Sequence, residues 1–152
     1  PEPGVLGSWI LRSAVAGGRD ALDLPLEIGP NEAISDAVLT FTDATQDVSG
    51  MLQDASGRPA PDYTIVVFAA DSRFWMPGAR RTRTSRPATD GRFTVTGLPP
   101  GDYRIAAVTD MSPTDSTDPA FLQLLMDASS PFTLAPGEKR VQDFRIGGRP
   151  SP

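Results

Sequence analysis

The sequence predicts an all-β protein, built as a sandwich of short strands with one short helix. Two observations predict this class: apolar residues alternate with polar ones in short runs, and the 16 prolines and 14 glycines fall largely between those runs. Alternation with a period of two is the pattern of a half-buried strand, and Pro and Gly clusters are typical of turns. Large apolar residues recur between the turns, which favours a folded protein over a disordered one.

The pattern of the first 44 residues predicts an incomplete β segment. Its predicted elements are a strand at 8–15, a turn at 16–19, an extended segment at 20–28 and a strand at 34–42. The period of two places Trp9 with Leu11 on one face of the first strand, and Leu39 with Phe41 on one face of the last. Three strands bury too little apolar surface to close a sandwich. We therefore expect the segment to be the tail of a preceding β module or an element that exchanges strands with another chain.

Residues 47–147 predict a complete sandwich, followed by a tail at 148–152. Its predicted elements are strands at 48–54, 63–70, 93–96, 102–109, 132–134 and 141–146, and a helix at 119–126. Asp90-Gly91 predicts a hairpin turn. Asp118 can cap the free N–H groups of the helix, and Pro119 suits its first position.

Composition excludes several classes of function. The chain has no histidine and no cysteine, so Ser-His and Cys-His nucleophiles and His/Cys zinc sites are unavailable. A net charge of −5 disfavours binding to nucleic acid, and no apolar run is long enough to insert in a membrane. Asp110, Asp115 and Asp118 lack the spacing of a calcium loop. The sole lysine, Lys139, lies in a predicted turn and is expected to be exposed rather than cross-linked. We expect no cofactor, no metal and no enzymatic activity.

The sandwich region resembles the carboxypeptidase regulatory-like domains, whose fold is a transthyretin-like (prealbumin-like) Greek-key β-sandwich of seven strands. The motifs that carry the resemblance are V-S-G at 48–50, D-A-S-G-R-P at 54–59, T-I-V-V-F at 64–68, T-D-G-R-F at 89–93 and G-L-P-P-G-D-Y at 97–103. The resemblance implies a noncatalytic accessory module of a secreted or surface protein. The sequence departs from the pattern in a long excursion at 71–86 and in the helix.

Two functions are compatible with these features. The first is an extracellular or cell-surface structural module that contacts neighbouring β modules or copies of itself through strands, as in a filament or a multidomain stalk. Its assembly surface would comprise Trp9, Leu11, Leu39 and Phe41.

The alternative function is a carbohydrate- or peptide-binding accessory module that uses the excursion from Phe74 to Arg86. Its ligand patch would comprise Trp75, Arg80, Arg81 and Arg83. The simpler interpretation of this basic run is a solvated hairpin, and of Trp75 a plug over the end of the sandwich. Assembly predicts exposed apolar strand surface in residues 8–42, whereas ligand binding predicts an exposed Trp75 beside convergent arginines.

Overall fold

The chain divides into two compact units, residues 1–44 and 45–152. The computed structural model describes residues 10–24, 28–31, 33, 36–43, 46–76, 79–112 and 114–146. The predicted start of the first strand, including Trp9, and the predicted tail at 148–152 lie outside the described residues.

The described residues of the N-terminal unit form a small antiparallel sheet. Its strands are β1 (Ile10–Ala16), β2 (Arg19–Asp20) and β3 (Ala37–Thr42), in the order β2-β1-β3. Gly17 and Gly18, with φ of 60° and 76°, make the tight turn between β1 and β2, and glycine adopts this left-handed conformation without a steric penalty. The N-terminal unit is thus a three-stranded sheet in the described part of the chain. Its second strand is confined to Arg19–Asp20, and residues 21–24 of the predicted extended segment at 20–28 form no strand.

The second unit is a two-sheet sandwich. Its described strands are β4 (Asp47–Gln53), β5 (Thr64–Ala69), β6 (Arg83–Ser85), β7 (Arg92–Thr96), β8 (Gly101–Val108), β9 (Ser130–Leu134), β10 (Lys139–Val141) and β11 (Phe144–Arg145). In one sheet β4 lies between β7 and the β10 and β11 pair; the other sheet has the order β6-β5-β8-β9. The prediction of an all-β sandwich is confirmed.

The strands β10 and β11 are two parts of one strand. Both run parallel to β4 in the same register, because Lys139 faces Asp47 and Phe144 faces Leu52. Gln142 and Asp143, which lie between them, interrupt the ladder but leave the register unchanged. Counted in this way the sandwich has seven strands, the number that the resemblance implies.

The central strand β5 is buried on both faces. Ile65 and Val67 pack between the two sheets with Val48, Leu52, Tyr103, Ile105 and their neighbours. Val66 and Phe68 point to the opposite side, where they pack with Leu122 and Leu125 of the helix α1 (Pro119–Met126). The nearly unbroken apolar run of β5 follows from this double burial.

The helix begins where the sequence predicts. Asp118 Oδ1 accepts a hydrogen bond of 2.9 Å from the N–H of Ala120, and Pro119 occupies the first helical position. Leu122 and Leu125 are its buried residues and cover the outer face of the β5 and β8 sheet.

The turn at Asp90-Gly91 differs from its prediction. A hydrogen bond of 2.8 Å from Ala88 N to Arg92 O closes a tight turn. However, β6 pairs with β5 whereas β7 pairs with β4, so the turn carries the chain from one sheet to the other. The hairpin prediction was wrong because turn residues specify the reversal of the chain, but not which strands pair afterwards.

Candidate interaction surfaces

The register between β1 and β3 gathers apolar side chains on one face of the N-terminal sheet. Ala14 faces Leu39, and a register shift between Leu11 and Ser13 then places Leu11 opposite Phe41. Because β1 has one extra residue there, the side chains before the shift lie on the opposite face from the one that strict alternation would give them. A β-bulge redirects side chains in this way. Leu11, Leu39 and Phe41 therefore share one face.

Apolar residues of this sheet are exposed on both faces. Leu39 is 58% exposed and Phe41 41% exposed, whereas Leu11 is half-buried. On the opposite face Val15 and Val38 stand directly across from each other, and Val38 is 59% exposed. Single exposed apolar residues are ordinary, whereas this sheet exposes a group of them.

Val15 and Val38 were not among the predicted surface residues. Alternation predicts apolar residues on one face of β3, as for a strand covered on a single side. The available signal was the composition of residues 37–42, A-V-L-T-F-T, which contains no charged residue on either face. A strand apolar on both faces usually lies inside a structure.

The outer side of β3 is an open strand edge in the described part of the chain, where β1 is the one strand that pairs with it. An edge strand directs a row of backbone N–H and C=O groups away from its sheet. Asp36 and Asp43 flank the uncharged strand at its two ends. This surface, comprising the edge of β3 with Val38, Leu39 and Phe41, is called the β3 surface below.

The second predicted site contains Trp75, which is a core residue. Its side chain is 7% exposed, its Nε1 donates a hydrogen bond of 2.7 Å to the carbonyl of Ala69, and its ring meets Phe68 edge-on at 5.9 Å. The indole covers the outer face of β5 beside the helix. Trp75 is therefore not the exposed platform that ligand binding required. It is buried, but on the outer face of a sheet rather than over the end of the sandwich, where the simpler interpretation placed it.

Arg81 differs from the expectation of a solvated arginine run. Its Nη1 donates a hydrogen bond of 3.0 Å to the carbonyl of Pro100, and its guanidinium lies 4.7 Å from the centre of the Phe74 ring. These partners are distant in sequence, so the local charge pattern gave no sign of them. Arg80 is half-buried like Arg81, whereas Arg83 is exposed on β6. The four residues of the predicted patch thus have different environments.

A cleft of about 460 Å³ lies beside Arg81 and Pro100. It is lined by Ala69, Ala70, Asp71, Phe74, Arg81, Pro100, Gly101 and Asp102. Its size falls in the range of small-molecule sites. However, the Phe74 ring already contacts the guanidinium groups of Arg73, at 5.9 Å, and Arg81. The carboxylate of Asp71 accepts three hydrogen bonds from the Arg73 side chain, of 3.2, 3.0 and 2.8 Å. The aromatic and charged groups of the cleft are therefore engaged with each other.

The acidic residues weighed as calcium ligands serve local structure. Asp115 accepts a hydrogen bond of 2.9 Å from Ser112 N, and Asp118 caps the helix. No cluster of three or more acidic side chains in the described ranges is arranged to hold a metal ion. Lys139 Nζ lies 2.7 Å from Asp47 Oδ2, and more than half of the lysine side chain is exposed, so this contact is a surface ion pair.

A family model for the carboxypeptidase regulatory-like domain matches residues 47–147, which is most of the chain. The chain belongs to the carboxypeptidase regulatory-like domain family. This confirms the resemblance drawn from the turn motifs. The family match starts at β4 and covers the sandwich unit. No curated protein matches the chain.

Several solved structures are similar to this carboxypeptidase regulatory-like chain at low identity. The Bacillus anthracis TIE protein is 14% identical over 76% of the chain, with a TM-score of 0.43, and the chain spans 19% of its length. The minor pilin of Streptococcus agalactiae is 11% identical over 76%, with a TM-score of 0.43 and 55% of its length spanned. The dioxygenase domain of a carbohydrate-binding fusion from Streptomyces is 19% identical over 68%, with a TM-score of 0.39 and 79% spanned.

Proposed function

We propose that the chain is a noncatalytic structural module of an extracellular or cell-surface protein, and that it associates with neighbouring modules or chains through β-strand contacts. The observation that carries this proposal is the β3 surface, which combines an open strand edge with apolar side chains exposed on both faces.

Two contributions would stabilise a partner strand on the β3 surface: backbone hydrogen bonds and apolar burial. A partner strand would pair with the open N–H and C=O groups, which is the common mode of β-strand addition. Burial of a large apolar side chain contributes about 1.5–3 kcal/mol, and the β3 surface offers three such residues. If the contact joins different surfaces on successive chains without closing a ring, it produces a filament or a stalk.

Two carboxyl groups, those of Asp54 and Asp71, hold turns in the sandwich unit. The hydroxyl of Ser56 and the backbone N–H of Arg58 donate to Asp54 and lower its pKa. Arg73 lowers the pKa of Asp71 in the same way. A general acid at neutral pH needs the opposite shift, so both carboxylates are suited to holding turns. None of the helices in the described residues is long and apolar enough to cross a membrane.

A second candidate function is binding of a carbohydrate or peptide by the excursion from Phe74 to Arg86. The cleft beside Phe74 and Arg81 favours it by its size. The burial of Trp75 and the contacts between the guanidinium groups and the Phe74 ring count against it. Strand association is therefore the stronger proposal.

The experiment replaces the apolar side chains of one face of β3 by charges. We would compare the intact chain with the double variant Leu39→Glu/Phe41→Glu by sedimentation velocity over a wide range of concentration. The matched control is Leu124→Glu, because Leu124 is the exposed leucine of α1 in the other unit. Circular dichroism establishes that all three proteins are folded.

We expect the intact chain and the Leu124→Glu control to assemble alike as concentration rises, and the β3 double variant to need at least about tenfold more protein, because charge on this face cannot be buried without a large cost. A chain that remains monomeric at every concentration would contradict association between chains. If the double variant assembles as readily as the intact chain, β3 is not part of the contact.

A further inference from the structure

The sandwich unit has strand edges of its own, and most of them are covered. The edges of β6 and β7 lie beside each other, where Ser85 Oγ donates a hydrogen bond of 3.1 Å to the carbonyl of Thr94. Each of these strands therefore covers part of the other's edge. This contact reduces the length of edge that an incoming strand could use on this side.

The edge of β9 is also protected. Pro131, in the second position of β9, has no N–H to donate, and proline on an edge strand is a common barrier to strand addition. The carbonyl of Thr133 accepts a hydrogen bond of 3.4 Å from Arg140 Nη1. Both features interrupt the row of groups that a second strand would need.

The remaining edge is that of β10 and β11. Among the described residues β4 is the strand that pairs with them, and their other side faces outward. Val141 in this edge is 72% exposed. The edge carries Lys139 and Arg140 at one end and Arg145 at the other, so both ends are basic. Its one carboxylate, Asp143, accepts a hydrogen bond from Met51 N of β4. Basic side chains repel most strands from an edge, and they select a strand of opposite charge.

The β3 surface has the complementary charge and a matching length. Asp36 and Asp43 bound β3, so its ends are acidic, and the intervening residues carry no charge. At about 3.3 Å per residue, β3 with its two aspartates spans about 26 Å and residues 139–145 span about 23 Å. In either strand direction an aspartate of β3 comes near Lys139 or Arg145.

The same charges disfavour pairing between identical edges. Two β3 strands would bring Asp36 against Asp43 when antiparallel, or each aspartate against its copy when parallel. Two basic edges would bring Lys139 against Arg145 or against itself. Like charges directly opposite in a sheet are destabilising, whereas opposite charges stabilise the pair. The mixed pairing is therefore the favoured one.

We propose that β3 of one copy adds to the outer edge of β10 and β11 in a second copy of the chain. This inference rests on the proposed strand association and names its partner surface. The two surfaces differ, so the contact is heterologous, and its repetition extends a chain of molecules where the rotation between copies does not close. Phe41 and Val38 of β3 would gain contacts with the exposed Val141 and with Phe144 of the accepting edge.

The test uses complementary charge changes in the intact protein. The strand variant is Asp36→Lys/Asp43→Lys, and the edge variant is Val141→Glu/Arg145→Glu, which leaves Lys139 and its ion pair with Asp47 intact. Sedimentation velocity at low salt is recorded for each variant alone and for an equimolar mixture, because salt screens exposed charges. Circular dichroism and thermal melting establish that each variant is folded. Should either double variant unfold, the single changes Asp43→Lys and Arg145→Glu replace it, because both side chains are exposed.

The proposal predicts that each variant alone assembles at least about tenfold more weakly than the intact chain, and that the mixture recovers assembly. If the edge variant assembles as well as the intact chain while Leu39→Glu/Phe41→Glu does not, β3 contacts another surface and this inference is wrong. If the intact chain never assembles, association between chains fails, and this inference fails with it. Weak assembly of both variants without recovery in the mixture would also overturn the pairing.

Discussion

Gly50 in β4 lies directly against the backbone carbonyl of Gln142, in the short interruption between β10 and β11. A Cβ at position 50 would collide with the Gln142 oxygen and stand 2.7 Å from its carbonyl carbon. The chain is held there by a hydrogen bond of 2.7 Å from Gln142 N to Ser49 O and by one of 3.0 Å from Met51 N to Asp143 Oδ1. The glycine thus allows the last strand to remain in register along β4.

Replacement of Gly50 by alanine should destabilise the sandwich. The atoms in the way are backbone, which moves less easily than a side chain, so we expect a loss of about 1–3 kcal/mol in the free energy of unfolding. Chemical denaturation measures it, with Ser49→Ala in the same strand as the control. An alanine variant as stable as the intact protein would show that β10 and β11 do not pack against β4 in this way.

Tyr103 ties the start of β8 to the turn that precedes it. The side chain is fully buried, stacks on Phe132 at 5.8 Å and donates a hydrogen bond of 2.6 Å from its hydroxyl to the carbonyl of Pro99. A tyrosine that bonds back to the chain a few residues upstream is known from other β-sandwiches as a tyrosine corner.

Tyr103→Phe keeps the ring and removes the donor. We expect it to lower the free energy of unfolding by about 1–3 kcal/mol, because the buried carbonyl of Pro99 loses its strongest partner. Tyr63→Phe is the control, since Tyr63 is half-buried at the margin of the core. A change below about 0.5 kcal/mol at Tyr103, measured by thermal or chemical denaturation, would argue against the corner.

Replacement of Arg81 and of Arg83 in the excursion should lower stability by different amounts. Arg81→Gln removes the hydrogen bond to Pro100 and the contact with Phe74, so it should cost about 1–2 kcal/mol of stability. Arg83→Gln changes an exposed side chain of β6 and should stay within about 0.5 kcal/mol. Denaturation curves of the two single variants provide the comparison, and equal effects would show that Arg81 is an ordinary surface residue.

The sequence predicted those elements whose causes are local. Alternation located most of the strands, and Asp118 with Pro119 located the start of α1. Alternation did not locate β6, which lies within the excursion at 71–86. The failures share a different cause, because they depend on partners far apart in sequence. The sheet entered by β7 after Asp90-Gly91, and the contact of Arg81 with Pro100, are set by tertiary packing, which a local pattern does not encode.

The division of the chain is a further prediction. Gln46 is buried and joins two distant turns, donating from Nε2 to Leu98 O at 3.0 Å and accepting from Gly137 N at 2.8 Å. The sandwich of residues 47–147 therefore needs this residue, and we expect a fragment of residues 45–147 to fold alone. Residues 1–44, with too few strands to enclose a core, should not. Amide NMR spectra of the two fragments test this, and a well-dispersed spectrum from residues 1–44 would refute it.

Hydrogen exchange of the β3 amides tests the central claim, that this strand pairs with a neighbour, most directly. In an isolated chain alternate N–H groups of β3 point away from β1, so they should exchange rapidly. The account predicts that peptides covering residues 37–42 become protected as protein concentration rises, while peptides from the exposed helix α1 do not change. Exchange of β3 that is rapid and independent of concentration would contradict strand association.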